Sequence, residues 1–406
     1  MPPTKKELTL AALVMLTLPI IAEVVLRAAH VRFDPQLYTA DQELGWALRP
    51  GAEGVVVGET SQYVRINTHG FRDRERTFDK PSNTIRIAVL GNSWTEALQV
   101  PLEKTYCSLL ERKLAEVPCF AGKRVEVLNF GVSGYSTAQE FITLRESVWK
   151  FHPDIVMLAF YSARDIANNL RQFNNAADPA QSPYFVYRGD KLILDNSFKS
   201  LPAVQKRQIM LQKIRSQVND HIRVLQGVNE LVRYGRARVA MAAVKERAGK
   251  AGVDTLEHAI YAPPAQPALQ EAWRVTEGLL IAISDEAKLH GAEFRIVSLA
   301  NRPQVIPDPA KRAAFMQTFS LTDLSYADER IKALGVREGI PVTVLAPALS
   351  QYAEAHHVYL NGFNESNLGG GHWNETGHQV AAEAIAADFC GSMGHSGPAP
   401  ALAAAR

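Results

Sequence analysis

Short apolar runs and helical patterns alternate along most of the chain. Ile85 to Leu90, Val125 to Phe130 and Asp154 to Tyr161 are nearly continuous apolar stretches that end at Gly or Ser. Such runs predict strands buried on both faces. Between them, Leu102 to Val117 and Thr137 to Phe151 read as helices, Phe294 to Ala300 and Val342 to Ala346 as further strands, and Thr376 to Cys390 as a closing helix. This alternation predicts an α/β domain over residues 81–393, a parallel sheet covered by helices on both faces. Residues 31–80 are richer in Gly, Pro and charge, with strand-like pieces Gly54-Val-Val-Val57 and Tyr63-Val-Arg-Ile66, and predict a small β-rich lead-in. A long, mainly helical insertion, about 170–290, divides the domain. The Gly-, Pro- and Ala-rich tail at 394–406 predicts disorder.

At the amino end, Lys5 and Lys6 precede an apolar run from Leu8 to Leu26, interrupted by Thr9, Thr17, Pro19 and Glu23. About 19 helical residues nearly cross a hydrocarbon core of about 30 Å. Residues 1–30 therefore read as an uncleaved signal anchor, the lysines favouring a cytoplasmic amino end. A cleaved signal peptide ending at Ile20-Ile-Ala22 is the alternative. Either exports the body of the protein; in a bacterium, the anchor reading puts a soluble domain in the periplasm on the inner membrane.

The chain has 406 residues, 47% hydrophobic and 21% charged, which describes an ordinary globular protein. Its formal net charge of +2 gives no reason to expect nucleic acid as a partner. The insertion's centre, 201–250, is basic, with Arg223, Arg233, Arg236, Arg238, Lys245, Arg247 and Lys250 among its cations against Asp220, Glu230 and Glu246. It reads as a solvated helical face, or as a cap near anionic lipid headgroups or an anionic polymer. Cys107, Cys119 and Cys390 show no metal-ligand spacing and read as small buried apolar residues, although Cys107 and Cys119 flank a helix and could pair. His356, His357 and His378 come with no carboxylate cluster, so neither a metal site nor a cofactor is expected.

Three polar segments follow predicted strands. The first, Gly91-Asn-Ser-Trp-Thr-Glu96, puts Ser93 beside the free N–H groups of a helix start. It is not the Gly-x-Ser-x-Gly elbow, because Thr95 takes the second glycine's place. The second, Asn129-Phe-Gly-Val-Ser-Gly-Tyr-Ser-Thr137, has glycines that permit close backbone approach, and the Gly134 N–H is a candidate donor. The third, Phe160-Tyr-Ser-Ala-Arg-Asp-Ile-Ala-Asn-Asn169, again follows a strand. All three converge on the carboxyl edge of the sheet, where open α/β folds bind ligands. Far along the chain, His372-Trp-Asn-Glu-Thr-Gly-His378 places an imidazole on a turn before an apolar helix. Ser93 and His372 thus make a candidate nucleophile and general base. The plainer readings are a helix-capping serine and a surface histidine.

The order and spacing of these segments resemble the SGNH hydrolases (the GDSL esterase/lipase superfamily), in its branch of membrane-anchored bacterial members. Ser93 falls on the block I serine, Gly134 on the block II glycine and His372 on the block V histidine. The Gly45-Trp46 and Ile66-Asn-Thr-His-Gly-Phe71 segments also resemble the lead-ins of those members. The resemblance implies a three-layer, flavodoxin-like parallel sheet, hydrolysis or transfer of acyl esters, and an oxyanion hole from Ser93 N–H, Gly134 N–H and the block III asparagine. That position holds Arg164 here, a longer donor that either serves the oxyanion or binds an anionic group. Block I carries Asn92 where aspartate is usual. The places of the block V aspartate hold Gly369 and Gly370, which leaves a backbone carbonyl, another side chain or nothing to hold the imidazole. Asn92, Asp165 and Asn374 are read as supporting residues. The expected function is an exported serine esterase or O-acyltransferase for acylated glycan or lipid of the cell envelope. The alternative is an SGNH-fold binding or assembly protein with impaired catalysis.

Overall fold

The computed structural model describes residues 4–31, 33, 35–174, 182–202, 204, 221–232, 235 and 258–393. At its centre lie five parallel strands, β5 (Thr84–Gly91), β6 (Arg124–Asn129), β7 (Ile155–Phe160), β10 (Glu293–Ser298) and β11 (Val342–Val344), in the spatial order β11-β10-β7-β5-β6. Taken by chain position, this is the 2-1-3-4-5 order of a flavodoxin-like sheet, as expected. The chain leaves β5 toward one edge and returns on the other side as β7. The switch point therefore opens between the carboxyl ends of β5 and β7, where such sheets bind ligands.

Strand alternation explains the unbroken apolar runs. Ala88 and Leu90 face one helical layer, with Phe141, Leu279, Ile283 and Ile331, while Ile87 and Val89 face the other, with Leu110, Leu349, Ile385 and Phe389. The first layer holds α4 (Thr137–Glu146), α6 (Pro267–Leu289) and α8 (Tyr326–Glu338); the second holds α3 (Tyr106–Leu114), α9 (Ala346–His356) and α10 (Glu375–Met393). Between them in sequence are α5 (Ser162–Asn168), after β7, and α7 (Pro309–Thr318). Truncating one of these fully buried side chains to alanine costs about 2–5 kcal/mol.

Two predicted helices are interrupted. Residues 102–117 contain a 3₁₀ turn (Leu102–Lys104) before α3, because Thr105 breaks the run to cap α3, its Oγ1 accepting the Ser108 N–H at 3.3 Å. Likewise α4 gives way to a 3₁₀ turn at Val148–Phe151.

The lead-in forms two hairpins, β1 (Tyr38–Asp41) with β2 (Gly45–Leu48) and β3 (Glu53–Val57) with β4 (Ser61–Arg65). Leu37, Leu48, Val64 and Ile66 are buried in the same core as the first helical layer. Arg72 is buried and donates to Glu96 O at 2.8 Å and to Ala97 O and Val100 O, capping carbonyls beside Ser93. The lead-in is thus fastened onto the domain at its functional edge.

The long segment after α5 includes a hairpin, β8 (Tyr184–Arg188) with β9 (Lys191–Asp195). It ends in α6, whose Trp273, Leu279 and Ile283 are fully buried against the sheet. Most of its basic centre, 205–220 and 236–257, and the tail at 394–406 lie outside the described residues. The amino-terminal helix, α1 (Lys5–Ala28), is long and apolar enough to cross a membrane, and the protein buries none of its most apolar stretch.

The cysteines depart from expectation. Cys119, after α3, and Cys390, in α10, are joined by a disulfide, and Cys107 is buried and free. The pairing missed from sequence spans 271 residues and ties α10 to the α3 side of the sheet. His378 is also buried in α10, its Nδ1 accepting the Tyr106 N–H at 3.2 Å. Burial, then the charges of Arg72 and His372, depress its pKa to about 3.

Two outcomes follow for stability. Cys119→Ser is expected to lower unfolding free energy by about 2–5 kcal/mol, read by urea denaturation, with no further loss on adding a reductant. Because His378 binds protons less readily folded than unfolded, its contribution is complete above the ordinary histidine value and is lost as pH falls below it. The midpoint of denaturation should therefore drop between about pH 6.5 and 4, with a shallower slope in His378→Gln.

Candidate active site

Gly91 ends β5, and a Cβ there would lie 2.1 Å from Thr95 Oγ1, so only glycine lets the next turn fold back over the strand. That turn is α2 (Ser93–Glu96), capped by Asn92, whose Oδ1 accepts the Trp94 N–H at 3.1 Å. Ser93 is half-exposed, while Asn92, Trp94, Thr95 and Glu96 around it are buried. In the first turn of a helix the Ser93 N–H has no acceptor within the helix itself.

His372 arrives from the opposite end of the chain. Its Nε2 lies 2.8 Å from Ser93 Oγ. The loop carrying it is braced by Asn374, whose Nδ2 donates to Tyr359 O at 2.9 Å and to Gly362 O at 3.2 Å, and whose Oδ1 accepts the Gly377 N–H at 3.0 Å. Beneath the imidazole, Trp94 lies 5.1 Å away between ring centroids and in turn packs on buried Trp373.

The partner of the other ring nitrogen is Glu59, a residue the sequence reading did not single out. It sits at the tip of the β3–β4 hairpin. Its Oε1 lies 2.5 Å from His372 Nδ1 and its Oε2 accepts the His372 backbone N–H at 2.8 Å. A carboxylate only accepts, so Nδ1 carries the proton and Nε2 presents its lone pair to Ser93. The Gln99 side-chain amide also faces Nδ1, at 3.2 Å, and this tautomer requires its oxygen rather than its nitrogen to point there. Burial by itself would raise the Glu59 carboxyl. The two hydrogen bonds from His372 and the charges of His372 and Arg302 instead hold it below the ordinary glutamate value.

The loop after β6, which carries Gly131 and Gly134, is tied to α2 from beneath. A Cβ on Gly131 would lie 2.5 Å from the Glu96 backbone nitrogen, so the two turns touch through main chain. The buried Glu96 carboxylate accepts the Ser133 N–H, and Tyr38 Oη from β1 at 2.7 Å. Gly134 has φ +82°, a left-handed conformation that favours glycine. Trp46 of β2 covers this loop, donating from Nε1 to Ser133 O at 3.1 Å and lying 3.2 Å from where a Gly134 Cβ would be.

Asn92 and Asp165 meet directly. Asn92 Nδ2 donates to Asp165 Oδ1 at 2.9 Å, and Asp165 Oδ2 accepts the Tyr161 N–H at 2.7 Å. Burial pushes the Asp165 and Glu140 carboxyls up, and the Asp165 charge adds to this at Glu140. Arg164 lies in the first turn of α5, half-exposed, its backbone N–H bonded to Tyr161 O at 3.0 Å. The geometry joins Ser93 to His372, Asn92 to Asp165, and Asn374 to the His372 loop. Gly134, on the loop after β6, and Arg164, in the first turn of α5, lie on the same sheet edge. No group of three or more metal-ligating side chains occurs among the described residues.

No family model matches the chain, and no curated protein matches it. Solved structures similar to it include a catalytic mutant of an acetylxylan esterase from Geobacillus stearothermophilus, at 13% identity and a TM-score of 0.35, covering 77% of this chain and 95% of the other. TesA is similar at 11% identity and a TM-score of 0.37, covering 76% and 99%. A putative lipolytic protein of the G-D-S-L family from Desulfitobacterium hafniense is similar at 10% identity and a TM-score of 0.33, covering 74% and 98%. At such TM-scores these likenesses carry no argument about activity, and the site is read from its own geometry.

Proposed function

We propose that the chain is a serine hydrolase or acyltransferase of SGNH type, with Ser93 as nucleophile, His372 as general base and acid, and Glu59 as the carboxylate that holds the imidazole. The observation that carries this reading is the unbroken line from Glu59 Oε1 through the His372 ring to Ser93 Oγ, with separations of 2.5 and 2.8 Å. A protein that only bound or assembled would have no use for an imidazole held in one tautomer against a half-exposed serine hydroxyl. The line therefore favours catalysis over the binding reading.

In this mechanism Ser93 Oγ attacks the acyl carbonyl while His372 Nε2 takes its proton. Glu59, already ionised, stabilises the imidazolium through Nδ1. The oxyanion is met by the N–H groups of Ser93 and Gly134, with Arg164 as a further donor or as a contact to an anionic substrate group. Collapse of the tetrahedral intermediate breaks the ester C–O bond, and the leaving alcohol takes the proton from Nε2. Water, or a sugar hydroxyl in the transfer reaction, then repeats the sequence on the acyl-serine and restores the free enzyme.

The substrate class we favour is an O-acylated glycan or lipid of the cell envelope. Two features support an exported location. An apolar helix with no protein cover needs lipid around it, and a disulfide persists in oxidising compartments. In a bacterium these features favour a domain on the periplasmic side of the inner membrane, held by α1.

The wild-type protein is expected to hydrolyse a short-chain nitrophenyl ester and to be labelled by a fluorophosphonate, and Ser93→Ala to do neither. Equal rates in the two proteins would exclude Ser93 as nucleophile. Glu59→Gln keeps the shape but not the charge, and should lower kcat about 10²–10⁴-fold. Rescue by Glu59→Asp to within a small factor of wild type would mark the carboxylate, rather than the packing of the hairpin, as what matters.

A further inference from the structure

At its carboxyl end α1 is gripped by a segment from the far side of the sequence. Glu23 Oε2 accepts the Val224 N–H at 2.9 Å, and Arg27 donates to His221 O. Gly227 lies against Phe33, with a Cβ at that position only 2.9 Å from the Phe33 ring. Residues 223–232 form a helix there. Four of its side chains, Leu225, Val228, Leu231 and Val232, are exposed, with Leu231 74% open to solvent. At 100° per residue they occupy one arc of about 120°, so the exposure is a continuous apolar stripe rather than scattered residues.

We propose that residues 221–232 are an interfacial membrane element, lying in the plane of the bilayer surface with Leu225, Val228, Leu231 and Val232 sunk among the acyl chains beside the emergence point of α1. This rests on the reading of α1 as a membrane anchor. Glu23 and Arg27 mark the end of the apolar run, the level at which a spanning helix passes into the headgroups. Whatever is bonded to those two side chains is held at that level. An apolar stripe fixed there is continuous with the apolar surface of α1, and lipid is the partner that covers both. The cations follow the same logic: 201–250 carries many arginines and lysines against three acids, a composition suited to anionic phospholipid headgroups. The catalytic domain is then held to the membrane at two points, which restricts its tilt.

The test uses the full-length protein in nanodiscs of phosphatidylglycerol and phosphatidylcholine. Cys107 is buried and the other two cysteines are bonded, so an introduced surface cysteine takes a thiol-reactive, environment-sensitive fluorophore. Leu231→Cys is compared with Leu16→Cys, halfway along α1, and Val336→Cys, 87% exposed on α8. The label at Leu231 is expected to be blue-shifted and to lose several-fold more fluorescence than that at Val336 when the lipids carry nitroxides near the headgroup, while Leu16 is read with nitroxides near the ends of the acyl chains. A Leu231 label indistinguishable from Val336, with Leu16 strongly quenched, would overturn the inference and leave the anchor standing. Failure of lipid to quench Leu16 would remove the anchor reading, and the inference with it. A Leu231 response to soluble heparin but not to lipid would overturn it in favour of an anionic polymer.

Discussion

The two hydrogen bonds from His372 to the Glu59 carboxylate hold together two distant parts of the protein. They link residues 313 positions apart, a hairpin tip near the amino end and a loop just before the closing helix. Side chain and backbone are both held, so the carboxylate fixes the ring's tautomer and the loop's position together. The grip is only as firm as the hairpin. The lead-in is accordingly anchored by Arg72 on the carbonyls at the end of α2, Tyr38 on Glu96 and Trp46 on the loop after β6. Each of these lands within a few residues of Ser93 or Gly134, so the lead-in belongs to the site as much as the sheet does.

Below the site, a second constraint explains why asparagine, and not aspartate, suits position 92. Asp165 accepts two hydrogen bonds in a fully buried position, and Glu140 is buried with it. A third carboxylate at position 92 would face Asp165 at hydrogen-bonding distance without a donor between them. Asparagine supplies the donor. Asn92 thus joins the turn after β5 to the turn after β7 across the switch point, which keeps the crevice walls at a set distance.

Much of the architecture was legible because burial on both faces leaves a strong local mark. The apolar runs at β5, β6 and β7 could be read one strand at a time. Gly91, Ser93, Gly134 and His372 were legible for a related reason, since a strand that must turn abruptly at the sheet edge needs small or capping residues there. Glu59 carried no such mark. It lies in a Gly-Glu-Thr hairpin tip of ordinary turn composition, and its importance arises from a contact with no local pattern. The disulfide was hidden in the same way, by a separation of 271 residues, while the nearer Cys107 drew attention and is in fact buried and free. Local chemistry is written in neighbours; a contact between distant turns is not.

The distance between Glu59 and His372 along the chain also sets an order of events. Synthesis runs from the lead-in to the closing helix. Glu59 and Ser93 are therefore made long before the imidazole that connects them. Until then the serine hydroxyl has no base beside it. A chain still being made, or cut short before residue 372, holds Glu59 and Ser93 with no imidazole to join them.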